Sequence, residues 1–241
     1  MRRAVGYIWG TVAVVILWWL LGVLVASPAL PTPIDTIPVL VDNAQAIVPE
    51  FLISFWRIIA SMLIGTLLGA PLGLILGRSK RADAVLEPIL YILYPIPKIV
   101  FLPVIFVFFG LGGEGKIIII TIAVFFQMVV SMRDAAKEIP ESSIEAVRSL
   151  GANRLQLFTN VILPATIPAL FTALRVTTAT AVAILFIAES MAGSSGLGYF
   201  IMHSWSLLEY PKMFAGIIAM AIMGVVIYEA FYIAERRLHR I

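Results

Sequence analysis

Residues 141–164 read ESSIEAVRSLGANRLQLFTNVILP, a charged, glycine-punctuated interval in a chain of 241 residues that is 61% hydrophobic and 13% charged. Its spacing predicts a helix, a turn and a second helix. Ser142 and Glu145 stand at the capping-box interval, at which each side chain can satisfy the other's backbone N–H. Ile144, Val147 and Leu150 recur at i, i+3 and i+6 and form one apolar stripe. Gly151 suits the left-handed residue that closes a helix. A second helix from about Asn153 carries Leu155, Phe158 and Ile162, and Pro164 is expected to stop it. What such an element is for depends on where the rest of the chain places it.

The composition decides that. A soluble domain is nearer half apolar and a quarter charged, so this is the composition of a membrane protein. The chain has no cysteine, which excludes disulfides and thiolate metal sites, and its two histidines, His203 and His239, form no metal-binding pair. No metal or cofactor is expected. Crossing roughly 30 Å of hydrocarbon takes about 20 helical residues. Six runs qualify: Ala4–Ala26, Phe51–Gly77, Pro88–Leu111, Lys116–Met132, Ala165–Ala188 and Met213–Ala234. Backbone in hydrocarbon must satisfy its own polar groups, so the fold expected is all-α and polytopic, with six transmembrane helices. Of the 17 Lys and Arg, Lys116 and Lys212 fall on one side, Arg57, Lys98 and Arg175 fall inside spans, and the other twelve share the opposite side. The positive-inside rule then puts both termini in the cytoplasm. The first run opens like a secretory signal, but its 23-residue uncharged core is too long for one, so it is expected to remain as a span. Residues 141–164 thus face the cytoplasm between spans four and five.

The connections carry less information. The outer loop Ser27–Glu50 is proline-rich and is expected to run extended, then form a short amphipathic helix around Val39–Val48. The inner loop GRSKRADAVLEP reads as a basic hairpin. Pro95, Pro97 and Pro103 crowd the third span, which should be kinked or broken near Lys98, either lining a cavity or packed inside the protein. One transmembrane domain is expected over residues 1–241, with a core region over 50–235.

With the segment placed, EAVRSLGANRLQLFTNVILP resembles the EAA loop of ATP-binding-cassette importer permeases. That pattern runs Glu-Ala-Ala, three residues, Gly, nine residues, an aliphatic, one residue, Leu-Pro. Here it is met by Glu145-Ala146-Val147, Gly151, Val161, Leu163 and Pro164, with Val147 in place of the second alanine. PIPKIVFLPVIFVFFGLG, LRVTTATAVAILFIAESMAGSSGLGYFI and the closing ERRL are similar to the nitrate/sulfonate/taurine/bicarbonate branch, over roughly residue 50 to the end. The resemblance implies a type I ABC importer-like permease fold in the cytoplasmic membrane of a bacterium or archaeon. It implies a homodimer with two cytoplasmic ATPase subunits and an external solute-binding protein, and no nucleic-acid partner. The chain itself would be no enzyme. It would pass a small, anionic solute such as a sulfonate, taurine, nitrate or bicarbonate by alternating access, with the pyrimidine precursors of thiamine also open. Glu145, Ala146, Arg148, Gly151, Leu163 and Pro164 would couple it to the ATPases.

Charges at bilayer depth are functional-site candidates by default. Arg57 and Glu189, both toward the outer side, are expected to pair. Glu189 is too far along its own helix to meet Arg175, since 14 residues rise about 21 Å. Lys98 and Arg175 lie nearer the inner half, where Glu229 is a candidate counter-charge. These groups read either as interhelical staples or as an anion-attracting pathway. AGSSGLGY, with Ser194 and Ser195, reads as a glycine-rich turn or, by the resemblance, as the outer mouth of the pathway.

Two motifs fail on inspection. Gly110–Lys116 spells GxxxxGK, but Ile117 stands where a phosphate-binding loop needs Ser or Thr, and no strand precedes it. Gly193–Gly196 matches the GxSG of rhomboid-type serine proteases around Ser195, but such chemistry needs a histidine base in reach, and His203 and His239 are poorly placed for it. A stand-alone secondary carrier would be expected to show inverted repeats, and none is visible.

Overall fold

The computed structural model of the chain describes residues 2–191 and 193–238, with side chains from Gly6 onward. His239 and Arg240 lie outside the described residues. Among the described residues, five helices are long and apolar enough to cross a membrane: Gly6–Val25, Ala44–Arg78, Gly113–Lys137, Arg154–Met191 and Tyr210–Leu238. The pair Lys80–Leu93 and Lys98–Phe109, bent by 79°, passes the same test when its halves are taken together, a sixth candidate span. The break predicted from Pro95 and Pro97 falls between its two halves.

In chain order the helices are α1 (Arg2–Val25), α2 (Pro33–Asp42), α3 (Ala44–Arg78), α4 (Lys80–Leu93), a 3₁₀ turn (Lys98–Phe101), α5 (Leu102–Phe109) and α6 (Gly113–Lys137). Then follow α7 (Glu141–Ser149), α8 (Arg154–Leu157), a π turn (Phe158–Ile162), α9 (Leu163–Met191), α10 (Leu197–Ser206) and α11 (Tyr210–Leu238).

Three connections differ from expectation, each for a local reason. The outer-loop helix forms at Pro33–Asp42 rather than 39–48, because Thr32 and Asp35 make a reciprocal capping box and Pro33 opens the first turn. After Asn43, helix α3 starts at Ala44, seven residues ahead of the expected span, and runs 35 residues. The inner loop is not a hairpin. Ser79 alone interrupts the helices, its Oγ accepting the Ala82 N–H at 3.3 Å, so the basic stretch that follows is the first turn of α4.

The chain forms two compact units, Met1–Ser54 with Glu189–Ile222, and Phe55–Ala188 with Met223–Ile241. In the first, α1 is mostly exposed, as suits a helix in lipid, and is tied down by Trp18. The Trp18 indole N–H donates to the Pro31 carbonyl at 2.9 Å, and its ring stacks on Phe214 at 5.6 Å.

The second unit is organised on α6. Gly65, Gly69, Gly73 and Gly77 recur every four residues and put one bare stripe of α3 against it. A Cβ at Gly69 would stand 2.6 Å from the Phe125 carbonyl oxygen, one at Gly73 2.5 Å from that of Val129, and one at Gly77 2.5 Å from that of Arg133. The two backbones are therefore in direct contact. Between helices in lipid the apolar effect gives little drive, and close packing through small residues supplies it instead. Ile119, Ile120, Val124, Met128 and Val129 of α6 are fully buried around this seam.

Candidate functional site

Residues 141–164 fold as a helix, a glycine turn and a short second helix, with two corrections to the sequence reading. The first helix starts at Glu141, not at a Ser142 cap. Pro140, at φ −58°, occupies the N-cap position and no side chain caps there, so Ser142 and Glu145 lie within the helix and form no capping box. Glu141 takes the favourable acidic place in the first turn, and the Arg78 guanidinium meets its carboxylate at 2.9 Å. That cation, through the hydrogen bond first, holds the Glu141 carboxyl below its ordinary pKa. The second correction concerns Pro164. It does not stop the helix, which continues from Arg154 to Met191 as one 38-residue run. Proline lacks an N–H and crowds the preceding turn. The wider π turn at Phe158–Ile162 comes immediately before and accommodates it.

Gly151 adopts φ +85° and nothing lies within 4 Å of where a Cβ would be, so glycine is required there by backbone conformation alone. Asn153 caps α8 in a reciprocal pair with Gln156, both bonds at 2.9 Å. The stripe drawn from Ile144 to Leu150 divides. Ile144 is buried in a cluster with Leu74, Met132, Ala136, Ile139 and Ile162, whereas Leu150 is 87% and Leu155 70% exposed. Glu145, Ala146, Arg148, Leu163 and Pro164 are also exposed. The element is rooted by isoleucine and presents a leucine-tipped, charged outer face.

The sequence reading missed the grip beside this root. Arg133 of α6 has a side chain only 7% exposed, and its guanidinium takes Asp83 through both Nε and an Nη, the latter at 3.1 Å. The same group reaches Glu87 at 2.5 Å and lies 5.9 Å from the Tyr91 ring centroid. Lys137 adds a second cation 2.6 Å from Asp83. Charge spacing held the signal: carboxylates at i, i+4 on α4 face cations at i, i+4 on α6. By sequence Arg133 is one of the twelve Lys and Arg that share the inner side.

The intramembrane charges are each engaged. Lys98 folds back over the helix break, its ammonium donating to the carbonyls of Leu93 (2.6 Å), Tyr94 (3.0 Å) and Ile96 (2.8 Å) and lying 4.5 Å from the Phe126 ring. A broken helix leaves carbonyls at its end short of backbone donors, although that of Leu93 also accepts the Ile96 N–H at 3.3 Å; the three occupy all three ammonium donors. The break borders a cavity of ≈ 360 Å³ lined by Tyr94, Lys98, Phe126, Gln127, Thr180 and Ile184, among others. Arg175 meets Glu235 at 3.2 Å and the rings of Tyr228 and Tyr232 at 5.8 and 5.5 Å. Glu235 lies six residues beyond Glu229, the counter-charge expected from sequence. Helical side chains lean toward their own N-terminus. Since α9 and α11 run antiparallel here, with Val182 beside Gly224, that lean carries Arg175 toward the later residues of α11.

Arg57 is 94% buried by its 6% exposure and lies beside Gly113. Glu189 is fully buried and accepts hydrogen bonds from Ser54 Oγ, at 2.9 and 2.8 Å to its two oxygens, and from the Gly198 N–H at 2.9 Å. Ser54 Oγ in turn accepts the Leu197 N–H at 2.8 Å, and Glu50 accepts that of Gly196. These groups receive the open N–H groups at the start of α10. Gly196, at φ +104°, has no room for a Cβ, which would fall on the Glu189 carboxylate. Ser194 is exposed and Ser195 half-buried in the turn just before, while His203 is exposed and stacked on Tyr199 at 5.4 Å. Lys116, in the GxxxxGK string, is buried inside α6 and not in a phosphate-binding loop.

Comparison with known proteins gives the class first. The fold matches a chain of the MetNI methionine ABC transporter in an inward-facing conformation, with a TM-score of 0.69 and 22% identity over 82% of this chain and 98% of that one. An all-helical chain with this architecture has the type I ABC importer permease fold. Residues 65–240 match the family model of the binding-protein-dependent transport system inner membrane component, and the chain belongs to that family. Among its relatives are the taurine transport system permease protein TauC of Escherichia coli, 30% identical over 95% of this chain and 87% of that protein. The putative aliphatic sulfonates transport permease protein SsuC of Bacillus subtilis is 29% identical over 98% and 88%. The chain is accordingly an ABC importer permease subunit, a multi-pass protein of the prokaryotic cytoplasmic membrane.

Proposed function

We propose that two copies of this permease, with two cytoplasmic ATPase subunits and an external binding protein, import a small sulfonate-type anion by alternating access. The relatives named for taurine and aliphatic sulfonates support that solute class. The coupling element is residues 141–164. It faces the cytoplasm, with Glu145, Ala146 and Arg148 on its contact face, Gly151 setting the turn, and Leu163 and Pro164 returning it to the membrane. One observation carries the assignment: Ile144 is buried while Leu150, six residues on in a charged segment, is 87% exposed. Leu150, with Leu155 70% exposed on the next helix, supplies apolar surface that a docked partner would take out of water.

The same reading assigns the pathway residues. Glu189, Ser194 and Ser195 shape the outer mouth, Lys98 lends its charge to the cavity at the helix break, and Arg57 and Arg175 hold flanking helices. The test is co-purification. A Leu150→Asp, Leu155→Asp chain is expected to insert normally but retain at least ten-fold less ATPase subunit than the unaltered chain. Undiminished retention would overturn the assignment of the element.

A further inference from the structure

Helix α4, the first half of the broken span, is held in an unusual way. Its one buried residue is Asp83, a carboxylate. The residues it turns outward are large and apolar: Val85 is 69%, Ile89 50% and Ile92 70% exposed. The side-chain bonds that join it to α6 are polar, from Asp83 and Glu87 to Arg133 and Lys137 at one end, and from the Tyr94 hydroxyl to Gln127 at 2.9 Å beside the break. A buried ion pair is a poor source of stability compared with apolar packing of the same volume, and its best-attested use is to fix register. The other end of α6 residue Arg133 is tied to the coupling element. Gly77 lets α3 rest on the Arg133 carbonyl, Arg78 donates to the Ala136 carbonyl at 3.4 Å and to Glu141 at 2.9 Å, and Ile144 is buried against Met132 and Ala136.

We infer that Arg133 is a positioning residue for transport: clasped by Asp83 and Glu87, it makes α4 and α6 one lever, so that displacement of residues 141–164 reaches the helix break at 94–97. The inference rests on the coupling role proposed for that element. Apolar packing alone would let α4 slide along α6, because its exposed residues have no matching surface there. A two-pronged guanidinium gripped by two carboxylates one helical turn apart permits one register.

The absence of cysteine makes the test direct. Val85→Cys and Ser142→Cys, both at exposed positions, carry spin labels on α4 and on the first turn of the element, clear of the leucines assigned to the ATPase contact. Labelled chains are diluted with unlabelled ones in nanodiscs, so that only distances within one chain are read by pulsed electron spin resonance. The expected result is a narrow distribution that keeps its mean when the assembled transporter passes from nucleotide-free to vanadate-trapped. Arg133→Gln should at least double its width, Arg133→Lys should stay within about half of that increase, and Asp83→Asn with Glu87→Gln should broaden it no further when added to Arg133→Gln. An unaltered width in Arg133→Gln, or a mean that shifts by several ångströms on trapping in the unaltered chain, overturns the lever. Loss of ATPase retention is read separately with the Leu150 and Leu155 variants, so failure of the coupling role and failure of the clasp give different results.

Discussion

Helix α6 is held on two sides by opposite means. Against α3 it packs close to bare backbone, with four glycines of α3 offering no side chain along the seam. Against α4 it presents charge to charge, with Arg133 and Lys137 facing Asp83 and Glu87. The glycine stripe of the first contact admits no slack, since a Cβ at Gly69, Gly73 or Gly77 would meet a carbonyl oxygen at about 2.5 Å. The second depends on two salt-bridge partners that are still 36% and 40% exposed, Glu87 and Lys137. Close packing fixes α3 and α6 permanently, whereas an ionic clasp fixes register and can be weakened by neutralising one group.

Four outcomes would sharpen or break this contrast, the largest first. Gly73→Leu should cost about 3 kcal/mol or more, beyond ordinary overpacking, because the obstructing atom is a backbone carbonyl. Thermal unfolding in detergent and membrane yield measure it, and a variant as stable as the parent would dissolve the seam. Arg133→Gln should cost less than the roughly 3–5 kcal/mol of a broken buried pair, because Lys137 still faces Asp83. High salt should narrow the gap between this variant and the parent while leaving the Gly73→Leu gap unchanged. Gly151→Ala comes next, at about 1 kcal/mol from left-handed backbone strain alone, since the site is open. It should alter ATPase retention more than the unfolding temperature.

The smallest effect belongs to Glu141. Its folded pKa is depressed by Arg78, so its contribution is complete above the unfolded carboxylate range and disappears as pH falls through the folded value. Glu141 is 63% exposed, so the pair is small in effect. Unfolding temperatures of the parent and Glu141→Gln should differ slightly at pH 7, equally at pH 6, and converge at strongly acidic pH. Convergence already between pH 7 and 6 would contradict the pairing.

Much of this architecture is legible in the sequence because its signals are local. Long uncharged runs give the spans, Pro95 and Pro97 give the break, and Gly151 gives the turn. Local signals also compete, and there the reading slipped. Ser142 and Glu145 have the right spacing for a cap, yet Pro140 sets the start of α7 and Glu141 finds Arg78. Pro164 looks like a stop, but a π turn lets the helix pass. The helix at Pro33–Asp42 follows Thr32 and Asp35, a stronger cap than any near Val39. The glycine seam was present as a four-residue repeat and needed only to be read as a helix face. The Arg133 clasp was harder to see. At the end of an apolar run an arginine reads as an interfacial anchor, and its partner lies fifty residues away on another helix. Sequence spacing likewise offered Glu229 to Arg175, whereas side-chain lean brings Glu235 to it.

The measurement that bears most directly on the account is maleimide labelling of Leu150→Cys, the chain's sole thiol, in inside-out membrane vesicles with and without the partner ATPase. The account predicts rapid labelling without the ATPase and at least ten-fold slower labelling once it is bound. A thiol that cannot be reached from that side, or one labelled at the same rate under a bound ATPase, would contradict it.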